Sequence, residues 1–288
     1  KCWELQADPA NVIFNQFDEF GNPLWHYNVT GPAVEEVYAG MRTPKTRLAA
    51  WVSATGSAGT IAAGDYLKTL FPGMKTVATE ALQCPTLLRN GFGGHRIEGI
   101  GDKHVPWVHN VRNTDAVAAI DDEDCMRLLR LFNEPAGREL LVAAGAPADA
   151  VGKLDLLGIS CICNILAAIK AAKYWELDEN DVVMTVFTDS AEMYLSRLAE
   201  LTAERGAFTG ATRDQPGVLR AALYMATVAA NRCNLVIEAL HQRLRDAGKF
   251  VKIALTACMR KLLTTLNAML KAKTPWQPQQ NAGPEVST

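Results

Sequence analysis

The sequence predicts an α/β fold, a parallel sheet with flanking helices, followed by an all-α helical C-terminal segment. Three observations carry this expectation. Short β-like runs alternate with helical patterns through the first two thirds of the 288 residues, the arrangement that produces strand–helix–strand units. Gly206, Gly210, Pro216 and Gly217 then punctuate the chain, as in a linker. Beyond about residue 218 only three- and four-residue apolar spacing remains, which is helical periodicity.

The elements follow in order. Leu48–Ser53 reads as a buried strand, and 60–70 as a helix with Ile61, Leu67 and Leu70 on one side. Residues 75–79 form a second strand and 116–120 a third. Asp121 and Asp122 start a helix that carries Met126, Leu128, Leu129 and Leu131. Residues 165–174 are helical, 182–187 form the last strand and 191–201 another helix. Leu255, Met259, Leu262, Leu266 and Met269 make the apolar stripe of an amphipathic helix, and Pro275 ends the pattern. These readings divide the chain into 1–205, a linker at 206–217, a helical segment at 218–276 and a disordered tail at 277–288.

Composition bounds the function. Hydrophobic residues make up 49% and charged residues 21%, which excludes a disordered, collagen-like or disulfide-scaffold chain. No apolar run reaches the eighteen or so residues of a membrane span. The seven cysteines include no CxxC pair and suit a reduced, cytoplasmic protein. The five histidines are scattered and form no HExxH, so no metal site is expected. The net charge of −2 hides an asymmetry: 18 Lys and Arg face 27 Asp and Glu over 1–205, whereas 11 face 4 over 206–288. Such a split suggests two parts with different partners.

Residues 51–60, Trp-Val-Ser-Ala-Thr-Gly-Ser-Ala-Gly-Thr, run from a strand into a helix. Small residues let backbone N–H groups approach an anion, and the helix N-terminus adds a favourable dipole. Ser57 and Thr60 add hydroxyls. The segment is neither a P-loop nor GxGxxG. Taken alone, it reads equally as a phosphate loop or as a tight turn.

Its neighbours supply context. Asn15-Gln-Phe, Thr30-Gly-Pro, the 56–60 loop, His95-Arg-Ile-Glu-Gly-Ile-Gly101, Gly158-Ile-Ser160, and Asp189-Ser190 before Tyr194-Leu-Ser196 occur in that order. Over residues 3–200 this succession resembles the cysteine synthase-like, fold type II pyridoxal-phosphate (PLP) enzymes, the tryptophan synthase β family. The resemblance implies a truncated core of that fold, PLP as cofactor (non-covalent, or lost), an amino-acid substrate and a possible homodimer. It implies that Gly56, Ser57, Gly59 and Thr60 hold the cofactor phosphate, although Ala58 stands where the family is richer in glycine. It implies further that Ser160 hydrogen-bonds the pyridine nitrogen, that Asp189 and Ser190 line the site near the ring, and that Gly99–Gly101 border the pocket. A neutral serine at the ring suits β-elimination and β-replacement, for which the ring need not be fully protonated. The local alternatives are that Ser160 and Asp189 cap the helices that follow them. The lysine that forms the Schiff base in this family precedes all of these segments. Lys1, Lys45, Lys68, Lys75 and Lys103 are not in the matching context, and the chain is expected to begin after that lysine and to be inactive as given.

Residues 218–277 resemble a second family. Arg220-Ala-Ala-Leu-Tyr-Met, Arg232-Cys-Asn, Met259-Arg-Lys-Leu-Leu and Thr274-Pro-Trp are similar to the C-terminal end of insertion-sequence transposases that join a DEDD-type nuclease domain to a serine-bearing one. No serine occupies 210–217, where that family's active serine would stand. The basic balance, with Lys249, Lys252, Arg260 and Lys261, suggests weak DNA contact through phosphates, or equally a solvated basic face. The resulting expectations are a PLP-enzyme remnant fused to a transposase end, a DNA-binding transposase fragment, or a non-catalytic interaction protein.

Overall fold

The computed structural model describes residues 1–209, 227, 231 and 234–272, with the backbone alone at 252 and 263–272. The chain forms two units, one of Lys1–Arg138 with Asp149–Ala211, the other of Glu139–Ala148 with Thr212–Thr288.

The first unit is built on a four-stranded parallel sheet. Its strands are β1 (Arg47–Ala54), β2 (Lys75–Ala81), β3 (Ala116–Ile120) and β4 (Asp181–Thr185), in the order β3-β2-β1-β4. Val52 pairs with Val77 on one side and with Thr185 on the other, and Ala78 pairs with Val117. Leu48 to Ser53 are buried without alternation, because helices cover both faces of a central parallel strand. The edge strands β3 and β4 are only partly buried.

The flanking helices are α1 (Gly31–Met41), α2 (Ala62–Leu70), α3 (Asp122–Asn133), α4 (Ile159–Tyr174) and α5 (Leu195–Arg205). Tyr38 of α1, Leu48 and Trp51 of β1, Ala63 and Leu67 of α2, and Met74 form one core cluster. The α3 start behaves as expected, with the Asp121 carboxylate accepting from the Glu123 amide at 2.9 Å. Such a cap contributes about 1 kcal/mol.

Several element boundaries differ from the sequence reading. α4 begins at Ile159, six residues before the expected start, which puts Ser160 in its first turn. β4 ends at Thr185 rather than Phe187, because the Val186 carbonyl is taken by the Asn164 side chain at 2.9 Å. The 191–201 helix divides into a 3-10 turn at Ala191–Tyr194 and α5. Residues 206–208 are anchored to this unit: Arg130 donates to the Gly206 carbonyl at 2.6 Å, and the Phe208 amide donates to Glu134 at 2.6 Å.

The second unit contains α6 (Leu235–Asp246) and α7 (Val251–Ala272). Asn234 caps α6 through the amides of Val236 and Ile237. Gly248, at φ +75°, separates the two helices, so the continuous helical pattern of the sequence breaks here. Ile237, Cys258 and Leu262 form its small core with Leu240. Of the predicted α7 stripe, Leu255 and Leu262 are buried. The side chains of Leu266, Met269 and Lys252 lie outside the described residues, as do 210–217, Pro275 and the tail from Gln277. Among the described residues, no single helix is long and apolar enough to cross a membrane.

Candidate functional site

The predicted site residues gather at the carboxyl edge of the sheet. The 56–60 loop leaves the end of β1, Ser160 opens α4, and Asp189 and Ser190 follow β4, which is the neighbour of β1. Ligands of open α/β sheets bind at this edge. Asn164, buried and one turn beyond Ser160, ties the two halves together. Its Oδ1 accepts from the Ala54 amide at 2.7 Å, and its Nδ2 donates to the Val186 carbonyl.

The loop after β1 is rigidly placed. The Thr55 amide donates to the Thr79 carbonyl of β2 at 2.8 Å, and the Thr55 carbonyl accepts from the Gly101 amide at 2.8 Å. Thr60 Oγ1 lies 2.7 Å from Ser53 Oγ and also reaches the Ala54 carbonyl. That bonding delays the α-helix, which begins at Ala62 rather than at Thr60. Asn22 Nδ2 donates to Ser57 Oγ at 3.0 Å, and a Cβ on Gly59 would collide with the Asn22 side chain and approach the His26 ring at 2.9 Å. A side chain at 59 would therefore have to push Asn22 away from its bond to Ser57.

Among the described residues, the six consecutive backbone N–H groups of 56–61 donate to no acceptor of the protein. Ala58 is left-handed, with φ 60°, an uncommon conformation for a residue with a side chain. A left-handed residue in such a run turns successive amides toward one side and makes an anion-binding concavity. The nine-residue α2 directly after the loop adds its positive dipole end.

The second half of the site centres on Asp189. Ser160 Oγ donates to Asp189 Oδ1 at 2.9 Å, Cys161 Sγ donates to the same oxygen at 2.8 Å, and Tyr194 donates to Oδ2 at 2.6 Å. Neither Ser160 nor Asp189 caps a helix: the caps of α4 and of the 191–194 turn are Gly158 and Ser190, without side-chain bonds. Burial, and then the bond to Asp189, push the Tyr194 hydroxyl and the Cys161 thiol above their ordinary values. Both groups therefore remain protonated donors. The Gly99–Gly101 loop links the halves, with Gly101 bonded to Thr55 and Gly99 3.9 Å, at a hypothetical Cβ, from the Tyr194 hydroxyl. Arg197 of α5 holds the loop through Glu98 at 2.6 Å.

Asn22, His26, Asn164 and Tyr194 complete the arrangement. Asn22 and His26 stand four residues apart, one helical turn, a spacing the sequence displays. His26 opens a π-helical turn at His26–Thr30 and pairs with Thr30 Oγ1 at 2.8 Å. A cavity of about 850 Å³ at the opposite, amino-terminal edge, lined by Arg42, Arg47, Phe71, Lys75 and Trp175, touches none of the predicted site residues. Of the basic residues assigned to DNA, Lys249, Arg260 and Lys261 are exposed.

No protein-family model matches the chain. Among individual proteins, it is 28% identical over 197 residues to a cysteine synthase of Staphylococcus aureus, covering 68% of this chain and 56% of that protein. It is 30% identical over 189 residues to a probable cysteine synthase of Bacillus subtilis, covering 65% and 54%. The fold is similar to that of O-acetyl serine sulfhydrylase isoform 3 from Entamoeba histolytica, with a TM-score of 0.53, 28% identity, and coverage of 68% and 52%. The O-acetylserine dependent cystathionine beta-synthase from Helicobacter pylori gives 0.52 and 27%, covering 68% and 56%. The chain thus spans little more than half the length of these relatives. Over about 68% of its residues the chain is similar in sequence to cysteine synthases and in fold to these O-acetylserine enzymes.

Proposed function

We propose that residues 3–200 form the phosphate-binding and ring-binding portion of a PLP-dependent cysteine synthase-like enzyme that acts on an amino acid by β-elimination or β-replacement. The observation that carries this reading is the run of six unpartnered amides at 56–61, in a chain similar in sequence to cysteine synthases. Gly56, Ser57, Gly59 and Thr60 would hold the cofactor phosphate through those amides and the Ser57 hydroxyl. Ser160 would meet the ring nitrogen, and Asp189 would position Ser160. Ser190, at the N-cap of the following turn, would line the same edge. PLP, when bound, supplies the electron sink for bond cleavage at the amino acid. Asn22 and His26 pack against the loop at Ser57 and Gly59. An amino-acid substrate and a homodimer are the partners this reading carries.

Three lysines of this unit, Lys68, Lys75 and Lys170, are committed elsewhere. Lys68 donates to Asp115 and to the Asn113 carbonyl at 2.5 Å, Lys75 faces Asp115 at 3.4 Å, and Lys170 donates to the Ala119 carbonyl at 2.6 Å. We therefore propose that this chain alone holds PLP without a covalent bond and is inactive. Borohydride reduction of the PLP-loaded chain followed by peptide mapping tests this. Saturable PLP binding with no reduced lysine adduct is expected. A stoichiometric adduct on one lysine overturns the inactive, non-covalent reading, and absence of PLP binding overturns the cofactor assignment.

For the helical segment, the excess of 11 basic over 4 acidic residues in 206–288 favours the transposase-like reading with weak DNA contact. DNA binding by the full chain that weakens with salt, and weakens further in Lys249→Ala with Arg260→Ala, is the expected result. Binding indifferent to salt or to these changes removes that reading.

A further inference from the structure

Beside the phosphate loop, and touching none of the residues assigned to the cofactor, lies a second cavity of about 300 Å³. Three segments build it. The helical stretch at 21–30 contributes Leu24 and Tyr27, four and seven residues beyond Phe20, which places the three along one face. Asn22 and His26 of the same stretch instead meet Ser57 and Gly59. α2 contributes Ala62 and Asp65, and residues 107–110 form the third wall. We infer that this cavity is a binding site for a small organic cation, a molecule with a quaternary or alkylated ammonium head. The rings of Phe20, Tyr27 and Trp107 and the Asp65 carboxylate would hold it.

Aromatic faces carry partial negative charge and attract a cation within about 6 Å of the ring centre. Among the described residues, the walls hold three aromatic rings and one carboxylate but no lysine or arginine. Trp107 is 87% exposed and Phe20 64%, and among the described residues neither ring stacks on another ring or beneath a cation. Exposed apolar groups gathered around a cavity mark a ligand site. Tyr27 is held by an edge contact with Tyr66, their ring centres 5.6 Å apart. Asp65 accepts from Asn113 Nδ2 at 2.7 Å, and a carboxylate has further lone pairs to offer. Burial pushes this carboxyl up, so its ionised form is kept at a cost that an entering cation offsets. Lys68, one turn along α2, is committed to Asp115 and the Asn113 carbonyl. His109, in the third wall, is held below its ordinary value by burial and adds no positive charge at neutral pH. Among the described residues, no three His, Cys, Asp or Glu side chains gather as a metal site. Ring faces and a single carboxylate meet the charge, which suits an organic cation rather than a metal ion.

The test titrates the full chain, without PLP and at neutral pH, with choline and with its uncharged carbon isostere 3,3-dimethyl-1-butanol, read by calorimetry. Saturable choline binding is expected, with the isostere weaker by at least about tenfold. Trp107→Leu keeps an apolar side chain but removes the ring, and Asp65→Asn keeps an acceptor for Asn113 but removes the charge. Each is expected to weaken choline by about three- to tenfold and to leave PLP binding unchanged. Trp107 is exposed, so Trp107→Leu reads the site even if Asp65→Asn fails to fold. Absence of saturable choline binding overturns the inference. Equal binding of the isostere makes this an apolar cavity indifferent to charge and overturns it too, as does choline binding unchanged in Trp107→Leu, which places the cation elsewhere. None of these outcomes depends on the cofactor assignment.

Discussion

The Asp189 carboxylate rests on the bare Cα of Gly158, with its oxygens 2.6 and 2.7 Å from where a Cβ would stand. Gly158 is extended, at φ −78° and ψ −176°, a conformation open to any residue. The glycine is required by proximity, and its replacement therefore reports on that contact alone. Gly158→Ala is expected to destabilise the first unit by about 1–3 kcal/mol, the usual cost of overpacking a tight site. Most of the loss should be recovered in the double variant Gly158→Ala, Asp189→Gly, measured by denaturant unfolding as a coupling energy. Simple addition of the two losses would place the strain elsewhere.

Asn164 is the hinge pin of the site, joining β1 to the segment after β4. Asn164→Ala leaves the buried Ala54 amide and Val186 carbonyl without these partners, at about 1–3 kcal/mol for each orphaned group. Asn164→Asp restores only the acceptor and should recover part of the loss. Thermal unfolding of the three proteins distinguishes these outcomes, and an Ala variant within about 0.5 kcal/mol of wild type, the range of a neutral surface change, contradicts the assignment.

The strands and the order of the motifs were legible in the sequence because each is local. Leu48–Ser53 is an unbroken small and apolar run, and 116–120 lies between polar stops. The loop 56–60 announced itself by small residues between a strand and a helix. What stayed hidden depends on distant pairs. Asn22 meets Ser57 across 35 residues, and Asn164 meets Ala54 across 110. Neither pairing leaves a periodic trace. The role of Ser160 as a donor to Asp189, 29 residues away, was hidden for the same reason, since locally it reads as a helix cap. The early start of α4 was missed because Cys161, Cys163 and Asn164 interrupt the usual helical vocabulary, whereas in the fold all three are buried and packing overrides propensity.

Burial holds the His26 and His109 imidazoles below their ordinary value. His109 Nδ1 has no partner in the core. An unfolded histidine takes up its proton near about pH 6.5, before the folded one does. The stabilising contribution is therefore full above that pH and is lost as pH falls toward the depressed folded values. Unfolding free energy should fall between pH 7 and 5, by up to about 1.4 kcal/mol per pH unit for each histidine at its steepest. His109→Gln should flatten the profile. An equal slope in the variant would exclude His109 as a source.

Ala58 occupies a left-handed position at φ 60°. Ala58→Gly relieves a cost of about 1–2 kcal/mol per left-handed residue, against about 0.4–1 kcal/mol of added chain entropy when unfolded. Unfolding measurements should find the variant neutral to slightly more stable, with the loop geometry unchanged. A loss above about 2 kcal/mol, well outside that balance, would mean that the Ala58 methyl carries packing beyond its cluster with Ile61, Ala78 and Val108.

The central claim is that the turn between β1 and α2 is a phosphate site. Titration of the full chain with PLP and, in parallel, with pyridoxal, which lacks the phosphate, measures it most directly. The account predicts saturable PLP binding, pyridoxal weaker by at least about tenfold, about 1.4 kcal/mol, and loss of PLP binding in Ser57→Asp, which puts a carboxylate in place of the loop hydroxyl assigned to the anion. Equal binding of the two compounds, or PLP binding that survives Ser57→Asp, would contradict it.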